Sequence, residues 1–327
     1  MDTTRLSAGF VGTQHASGKS MGWRAGQLSW VGRVAALCVG IIGMATAVAC
    51  PTAAAQATSS TDRAKGAVNT TGGRVSQAPV VEAGDYVALG DSYSSGVGTG
   101  VYDAASGACQ RSPLSYPPLW VAEHHPASFA FVACSGAKTA DVRANQIPAL
   151  QPTTDVVTIT IGGNDAGFGP VLQTCSVAES DRTCLAAVDA AEAFERTVLR
   201  DRLARTYAAI RAAAPQAHVI VLGYPRLFEL TLSCADFLAP NLTRRQKLNE
   251  GADVLNSVIR SASQQYGFSF TDVRDRFAGH GVCSTNPWIN GPSMPATVGP
   301  YHPTQTGYRD GYLDTLDATT ASSSAAV

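Results

Sequence analysis

Charge is scarce in this chain. Asp, Glu, Lys and Arg make up 15% of its 327 residues, and 24 basic side chains nearly cancel 25 acidic ones, leaving a formal net charge of −1. Nucleic acid and anionic membrane surfaces are recognised by concentrated positive charge, so neither is an expected partner. The six histidines are scattered rather than spaced as ligands, and no metal centre is expected. The glycine-rich stretch from Gly90 to Gly100 lacks the lysine and spacing of a phosphate-binding loop, and it lacks the dinucleotide glycine pattern. No cofactor is implied. There is no internal repeat and no second domain boundary. What remains is 45% hydrophobic content with 31 glycines, enough for one substantial core.

Long apolar runs are missing too, with one exception. Arg24 and Arg33 precede an apolar run at 34–49, short for a membrane span and followed by small residues. A basic region, an apolar region and a small-residue cleavage site make a secretory signal. Cleavage after Ala55 satisfies the small-x-small rule through Ala53 and Ala55, so residues 1–55 are expected to be the signal, with Met21 an alternative start. The run Ala47-Val48-Ala49-Cys50 offers an alternative, lipid anchoring through Cys50, but lacks the leucine-like residue three before the cysteine. Residues 56–80, rich in Ala, Ser, Thr and Gly, have almost nothing to bury and are expected to be a disordered leader. The folded domain is expected over 81–320, with a flexible tail at 321–327, and the protein is expected outside the cell.

Cysteine usage agrees with export. Cys38 and Cys50 belong to the leader, which leaves Cys109, Cys134, Cys175, Cys184, Cys234 and Cys283. An even number in an exported chain implies disulfides. Six cysteines permit 15 connectivities. Sequential pairing is the simplest, and its last loop, from Cys234 to Cys283, would be the longest and constrain the unfolded chain most.

Five apolar runs have strand length and β-branched or aromatic content: 86–89, 129–133, 156–161, 218–222 and 268–273. Helical patterns lie between them. One covers 186–214, with Leu199, Leu203, Tyr207 and Ile210 at helical spacing and Pro215 at its end. Another begins at Thr243, where Thr243 and Gln246 fit a capping box, and closes near Gly267. A last helix is expected from Thr304, just after Pro303. Strands alternating with helices imply an α/β fold with a parallel sheet covered on both faces.

The strand ends carry chemistry. The first run stops in Gly90-Asp91-Ser92, placing Ser92 where α/β proteins bind ligands, outside the carboxyl end of a strand. Gly136 follows the second run, Asn164 in Gly162-Gly163-Asn164-Asp165 follows the third, and His302 stands before the last helix. Ester hydrolysis needs a nucleophile, a base for its proton, and donors for the tetrahedral oxyanion. Ser92 and His302 supply the first two; the N–H groups of Ser92 and Gly136 and the Asn164 amide would supply three donors. Glycine at 136 leaves the approach of a substrate carbonyl unobstructed.

These blocks, with His302-Pro303, resemble the four signature blocks of the SGNH, or GDSL, hydrolase family. The six cysteines, Gly223-Tyr224-Pro225-Arg226-Leu227-Phe228 and Trp288-Ile289-Asn290-Gly291 resemble its secreted actinobacterial lipases and esterases. The resemblance spans about 85–316. It implies a flavodoxin-like, three-layer α/β/α sandwich with a five-stranded parallel sheet, Ser92 as nucleophile, His302 as base, Gly136 and Asn164 completing the oxyanion hole, and three disulfides. One position departs from the pattern. Many members carry an acid three residues before the histidine, and here that residue is Gly299. A backbone carbonyl of Gly299 or Pro300, rather than a distant acid, is expected to orient His302, while Asp91 anchors the loop through backbone N–H groups. The expected substrate is a lipid or fatty-acyl ester, with Phe168, Phe228 and Trp288 as candidate acyl-pocket residues. A carbohydrate acetyl ester, a phospholipid and a non-catalytic binding module are the alternatives. Activity is expected to fail below neutral pH as His302 protonates. A monomer with transient contact at a lipid interface is the expected state.

Overall fold

Five strands form a single all-parallel sheet in the order β2-β1-β3-β4-β5 in the computed structural model, which describes residues 84–324. The strands are β1 (Asp85–Gly90), β2 (Ser128–Phe131), β3 (Thr154–Thr160), β4 (His218–Leu222) and β5 (Ser269–Thr271). Each coincides with an apolar run of the sequence, and β4 matches it residue for residue. The expected secretion signal, the 56–80 leader, Cys38 and Cys50 lie outside the described residues.

Burial explains why these runs are strands. Tyr86, Val87, Ala88 and Leu89 of β1 are all at most 4% exposed. Successive side chains point to opposite faces, so both faces of the sheet must be covered. Helices do this: α1 (Ser92–Ser95), α2 (Tyr116–His124), α3 (Thr139–Asp141), α4 (Phe168–Val177), α5 (Asp181–Phe194), α6 (Arg200–Ala213), α7 (Leu242–Gln264) and α8 (Asp314–Ser324). Tyr86 meets Trp120 of α2 edge-on at 4.9 Å between ring centres, and Tyr116 stacks on Tyr312 at 5.6 Å. The result is the three-layer α/β/α arrangement expected.

Helix ends differ from expectation in instructive ways. The pattern at 186–214 is the later part of a longer helical stretch, which starts at Asp181 and runs through a π-turn at Glu195–Leu199 to Ala213. Helix α7 is capped by Asn241, whose side chain accepts from the Arg244 N–H at 3.1 Å, so Thr243 lies inside the first turn and forms no capping box. That helix ends at Gln264, short of Gly267. Thr304 caps the last helical segment by accepting from the Gly307 N–H at 3.2 Å, and the segment continues through a π-turn at Gly307–Leu313 to Ser324, past the domain end read at 320.

The cysteines pair in sequence: Cys109–Cys134, Cys175–Cys184 and Cys234–Cys283. The last closes a separation of 49 residues against 9 for the middle bridge. On chain entropy the long loop stabilises by roughly 4 kcal/mol and the short one by roughly 3.

The strand order positions the site. The chain leaves β1 toward β2 on one side and returns to β3 on the other, so the topology reverses between β1 and β3. A crevice opens outside the carboxyl ends of strands at such a switch point. Gly90 at the end of β1 pairs with Thr160 at the end of β3, and Ser92 and Asn164 follow directly.

Candidate active site

After Gly90 the chain turns sharply into α1. Asp91 caps this one-turn helix: its Oδ1 accepts from the Tyr93 N–H at 3.0 Å, and its carbonyl accepts from the Ser94 and Ser95 N–H groups. This is the anchoring role expected of it. Its other oxygen accepts from the Tyr224 hydroxyl at 2.5 Å, and that hydroxyl in turn accepts from the Gly163 N–H at 3.1 Å. Tyr224 thus ties the ends of β1 and β3 together. Burial pushes the Asp91 carboxyl up to about 7, against the hydrogen bonds from Tyr224 and Tyr93.

Ser92 is the first residue of α1 and only 8% exposed. Its Oγ lies 2.8 Å from His302 Nε2. The other ring nitrogen, Nδ1, lies 2.9 Å from the Pro300 carbonyl. A carbonyl can only accept, so Nδ1 carries the proton and Nε2 presents its lone pair to the Ser92 hydroxyl. Of the two carbonyls considered from the sequence, Pro300 makes the contact. Burial lowers the His302 pKa to about 4, while the Pro300 and Gly299 carbonyls pull it upward.

The loop that carries His302 is braced from below. Asn290 Nδ2 donates to the carbonyls of Gly98 (2.9 Å) and His302 (3.1 Å), and Tyr93 donates to the Tyr301 carbonyl at 2.6 Å. Gly98 is required here. Its φ is +105°, and a Cβ would sit 2.2 Å from the Pro303 carbonyl oxygen and 2.9 Å from His302 Cβ. Tyr301 itself is held at φ 63°, an uncommon value for a non-glycine residue.

The residues that carry the three proposed donors border the same cavity. Ser92, Gly136 and Asn164 all line one cavity with His302. Neither the Ser92 nor the Gly136 N–H has an acceptor among the described hydrogen bonds. Asn164 donates one amide hydrogen to the Ala137 carbonyl at 3.1 Å, which fixes the amide and leaves its second hydrogen available. Gly136 has φ +78°, and a Cβ there would enter open space. Asp165 locks the two donor loops together: it accepts from the Thr139 N–H (2.7 Å), the Thr139 hydroxyl (2.8 Å) and Arg202 (3.1 Å), and its side chain is 1% exposed. Gln146 completes the support by exchanging two hydrogen bonds with the Gly90 backbone.

Away from this polar end the cavity, about 530 Å³ in volume, is largely apolar, lined by Phe168, Leu172, Tyr224, Leu227, Leu255 and Tyr301 among others. Of the three aromatics expected there, only Phe168 reaches it. Phe228 is buried against Tyr301, edge-on at 5.9 Å, and Trp288 stacks on His280 at 3.7 Å and meets Phe277 edge-on at 5.8 Å. Both are core. Tyr93, Tyr224, Gln146, Asp165 and Asn290 were not singled out for the roles they play here, because each acts through partners distant in sequence.

One group with metal-ligand chemistry also forms, at the contact of α2 with α8: Glu123, His124 and Asp317. His124 Nε2 and Asp317 Oδ1 are 2.8 Å apart, and the ring stacks on Trp120. These contacts account for the cluster as a surface pair.

Residues 88–309 match the GDSL-like Lipase/Acylhydrolase family. The chain is 44% identical to lipase 1 of Streptomyces coelicolor over 76% of its own length and 91% of that protein. The crystal structure of an extracellular lipase from Streptomyces rimosus is 47% identical, superposes with a TM-score of 0.68, and aligns over 72% of this chain and 99% of that one. The crystal structure of a phospholipase A1 from Streptomyces albidoflavus is 46% identical, with a TM-score of 0.70 and the same coverage. By this family match and these relatives, the chain belongs to the GDSL-like lipase/acylhydrolase family and is a carboxylic ester hydrolase.

Proposed function

We propose that the protein is a secreted lipid esterase acting through an acyl-enzyme on Ser92, with His302 as base and no side-chain acid behind it. The observation that carries this reading is the paired contact of His302, with Nε2 on Ser92 Oγ and Nδ1 on the Pro300 carbonyl. As Ser92 Oγ attacks the ester carbonyl, its proton passes to Nε2. The carbonyl π pair moves onto oxygen, and the oxyanion is held by the Ser92 and Gly136 N–H groups and the Asn164 amide. Collapse expels the leaving alcohol, protonated by His302, and leaves the acyl group on Ser92. Water, deprotonated by His302, then releases the acid and restores the serine. The Pro300 carbonyl fixes the tautomer but carries no full charge to offset the imidazolium.

The apolar wall of the cavity supports an acyl chain rather than a sugar, whose hydroxyls would need polar partners there. The three disulfides and the signal pattern at 1–55 support export. Hydrolysis of a series of chromogenic esters from acetyl to palmitoyl tests the substrate reading. kcat/KM should rise with chain length beyond acetyl. A maximum at acetyl would transfer the reading to a carbohydrate acetyl esterase.

The acid limb should lie lower than the sequence suggests. Active His302 is neutral, and burial takes its pKa from the ordinary 6.5 to about 4. kcat/KM should therefore hold from pH 8 to about 5 and fall below that. A half-point at or above 6.5 would mean that another group controls the limb. Stability moves the same way. Between the folded and unfolded values the unfolded chain binds a proton that the folded chain does not, so this histidine makes the fold less stable as pH drops through that window. Melting temperatures measured at each pH separate the two effects.

A further inference from the structure

Exposed large apolar side chains gather on the loops that carry part of the cavity lining. Among the described residues, the exposed large hydrophobics include Leu232 (93% exposed), Phe237 (84%) and Val177 (75%), together with Leu230, Leu238 and Met294. Val177 and Leu238 also line the cavity that holds Ser92, Phe237 adjoins Leu238 in the chain, and Met294 follows Pro292, another lining residue, so exposed apolar side chains stand at the cavity's edge. Large apolar side chains left exposed around the opening of an apolar cavity point to an interaction site.

The rim is built, not loose. The loop 229–240 is stapled by Cys234–Cys283. Arg245 beneath it donates to the Glu229 and Thr231 carbonyls, each at 2.7 Å. Asp236 ties it to the neighbouring loop by accepting from the Ser293 hydroxyl at 2.7 Å. On the other side, Arg244 holds the turn after Val177 by donating to the Cys175 and Ala178 carbonyls, each at 2.9 Å.

Charge decides the partner. No Asp, Glu, Lys or Arg occurs between residues 281 and 308, and Asp236 is the only one between 230 and 243. Beside Val177 the exposed charges are one of each sign, Glu179 and Arg182. A surface for anionic lipid carries clustered lysine and arginine, and this rim has no such cluster. We infer that the rim formed by loop 229–240 with Val177 and Met294 docks on an electrically neutral or zwitterionic lipid–water interface, opening the Ser92 cavity directly onto acyl chains. This rests on the lipid-esterase reading for its purpose but is measured independently of it.

Partition onto phosphatidylcholine vesicles, followed by co-sedimentation, is the test, with Ser92→Ala in every sample so that the lipid stays intact. Adding Leu232→Asp and Phe237→Asp should weaken partition by about 10-fold or more, since each removes an apolar side chain that would leave water. Leu232→Met should keep it. In the Ser92 background the same pair should leave turnover of a soluble short-chain ester within about twofold, because neither residue lines the cavity, while turnover of vesicle lipid falls with partition. Unchanged partition of the double variant would overturn the inference. So would stronger, salt-sensitive binding to phosphatidylglycerol vesicles, which would assign the contact to charge elsewhere. Dissociation of a dimer by the pair, with vesicle binding intact, would assign the patch to a second copy of the chain. An acetyl optimum in the ester series would defeat the substrate reading and leave the vesicle result standing.

Discussion

Ser92→Ala should lower kcat/KM for a soluble ester by about 10,000- to a million-fold while leaving the melting temperature close to that of the parent. The hydroxyl makes one hydrogen bond, to His302. The backbone contacts of Ser92 survive the change: its carbonyl accepts from the Gly96 and Val97 N–H groups, at 3.0 and 3.1 Å, and Asp91 still caps the turn. What disappears is the proposed nucleophile. His302→Ala should lose activity to a similar extent, because a hydroxyl without a base is a weak nucleophile at neutral pH. Groups that act as one unit are not additive, so the double substitution should be no worse than either single one. Single-turnover rates and intact mass measure this. The parent should accumulate a mass increase equal to an acyl group on a slow ester, and Ser92→Ala should show none. Undiminished turnover by Ser92→Ala would remove the nucleophile assignment, and a His302→Ala variant within tenfold of the parent would remove the base.

The parts of this site that were legible in the sequence are those fixed by local chain chemistry. Apolar runs that break off in Gly-Asp-Ser or Gly-Gly-Asn announce strand ends, because buried strands are continuous in hydrophobicity and their exits need turn residues. Ser92, Gly136 and Asn164 could be placed for that reason. His302 could be placed by the proline and threonine that open the following helix. The absence of an acid at Gly299 was equally visible, and it left a carbonyl as the partner. Which carbonyl depended on the unusual φ of Tyr301, which turns the chain between Pro300 and His302 and has no signature in composition.

Other features are tertiary and gave no local sign. Tyr224 reads as an ordinary aromatic after a strand, yet its hydroxyl joins Asp91 to Gly163. Phe168, Phe228 and Trp288 are alike as aromatics in the sequence, and only the packing of Tyr301 and His280 against the last two shows that they lie away from the cavity. Pro117 and Pro118 hide α2 because proline is read as a breaker, although the first helical turn tolerates it. Asn241 and Thr243 have equal capping chemistry two residues apart, so sequence alone selects the cap poorly.

Asn164→Ala should reduce kcat by about 100- to 1,000-fold with KM within a few-fold of the parent, the signature of an interaction made mainly in the transition state. The amide is held by its bond to the Ala137 carbonyl, so its remaining hydrogen is aimed before substrate arrives. Such preorganisation costs no rearrangement as charge develops on the ester oxygen. Asn164→Asp should be worse than alanine, since a carboxylate in the same place would oppose the oxyanion rather than stabilise it. Asp165→Ala gives the contrast. It removes the acceptor of Thr139 and Arg202 without touching the cavity lining, so kcat should fall together with the melting temperature as the two donor loops part. A loss of kcat in Asn164→Ala matched by an equal rise in KM would show that the amide binds ground state and transition state alike. The two backbone N–H groups of Ser92 and Gly136 would then carry the oxyanion alone.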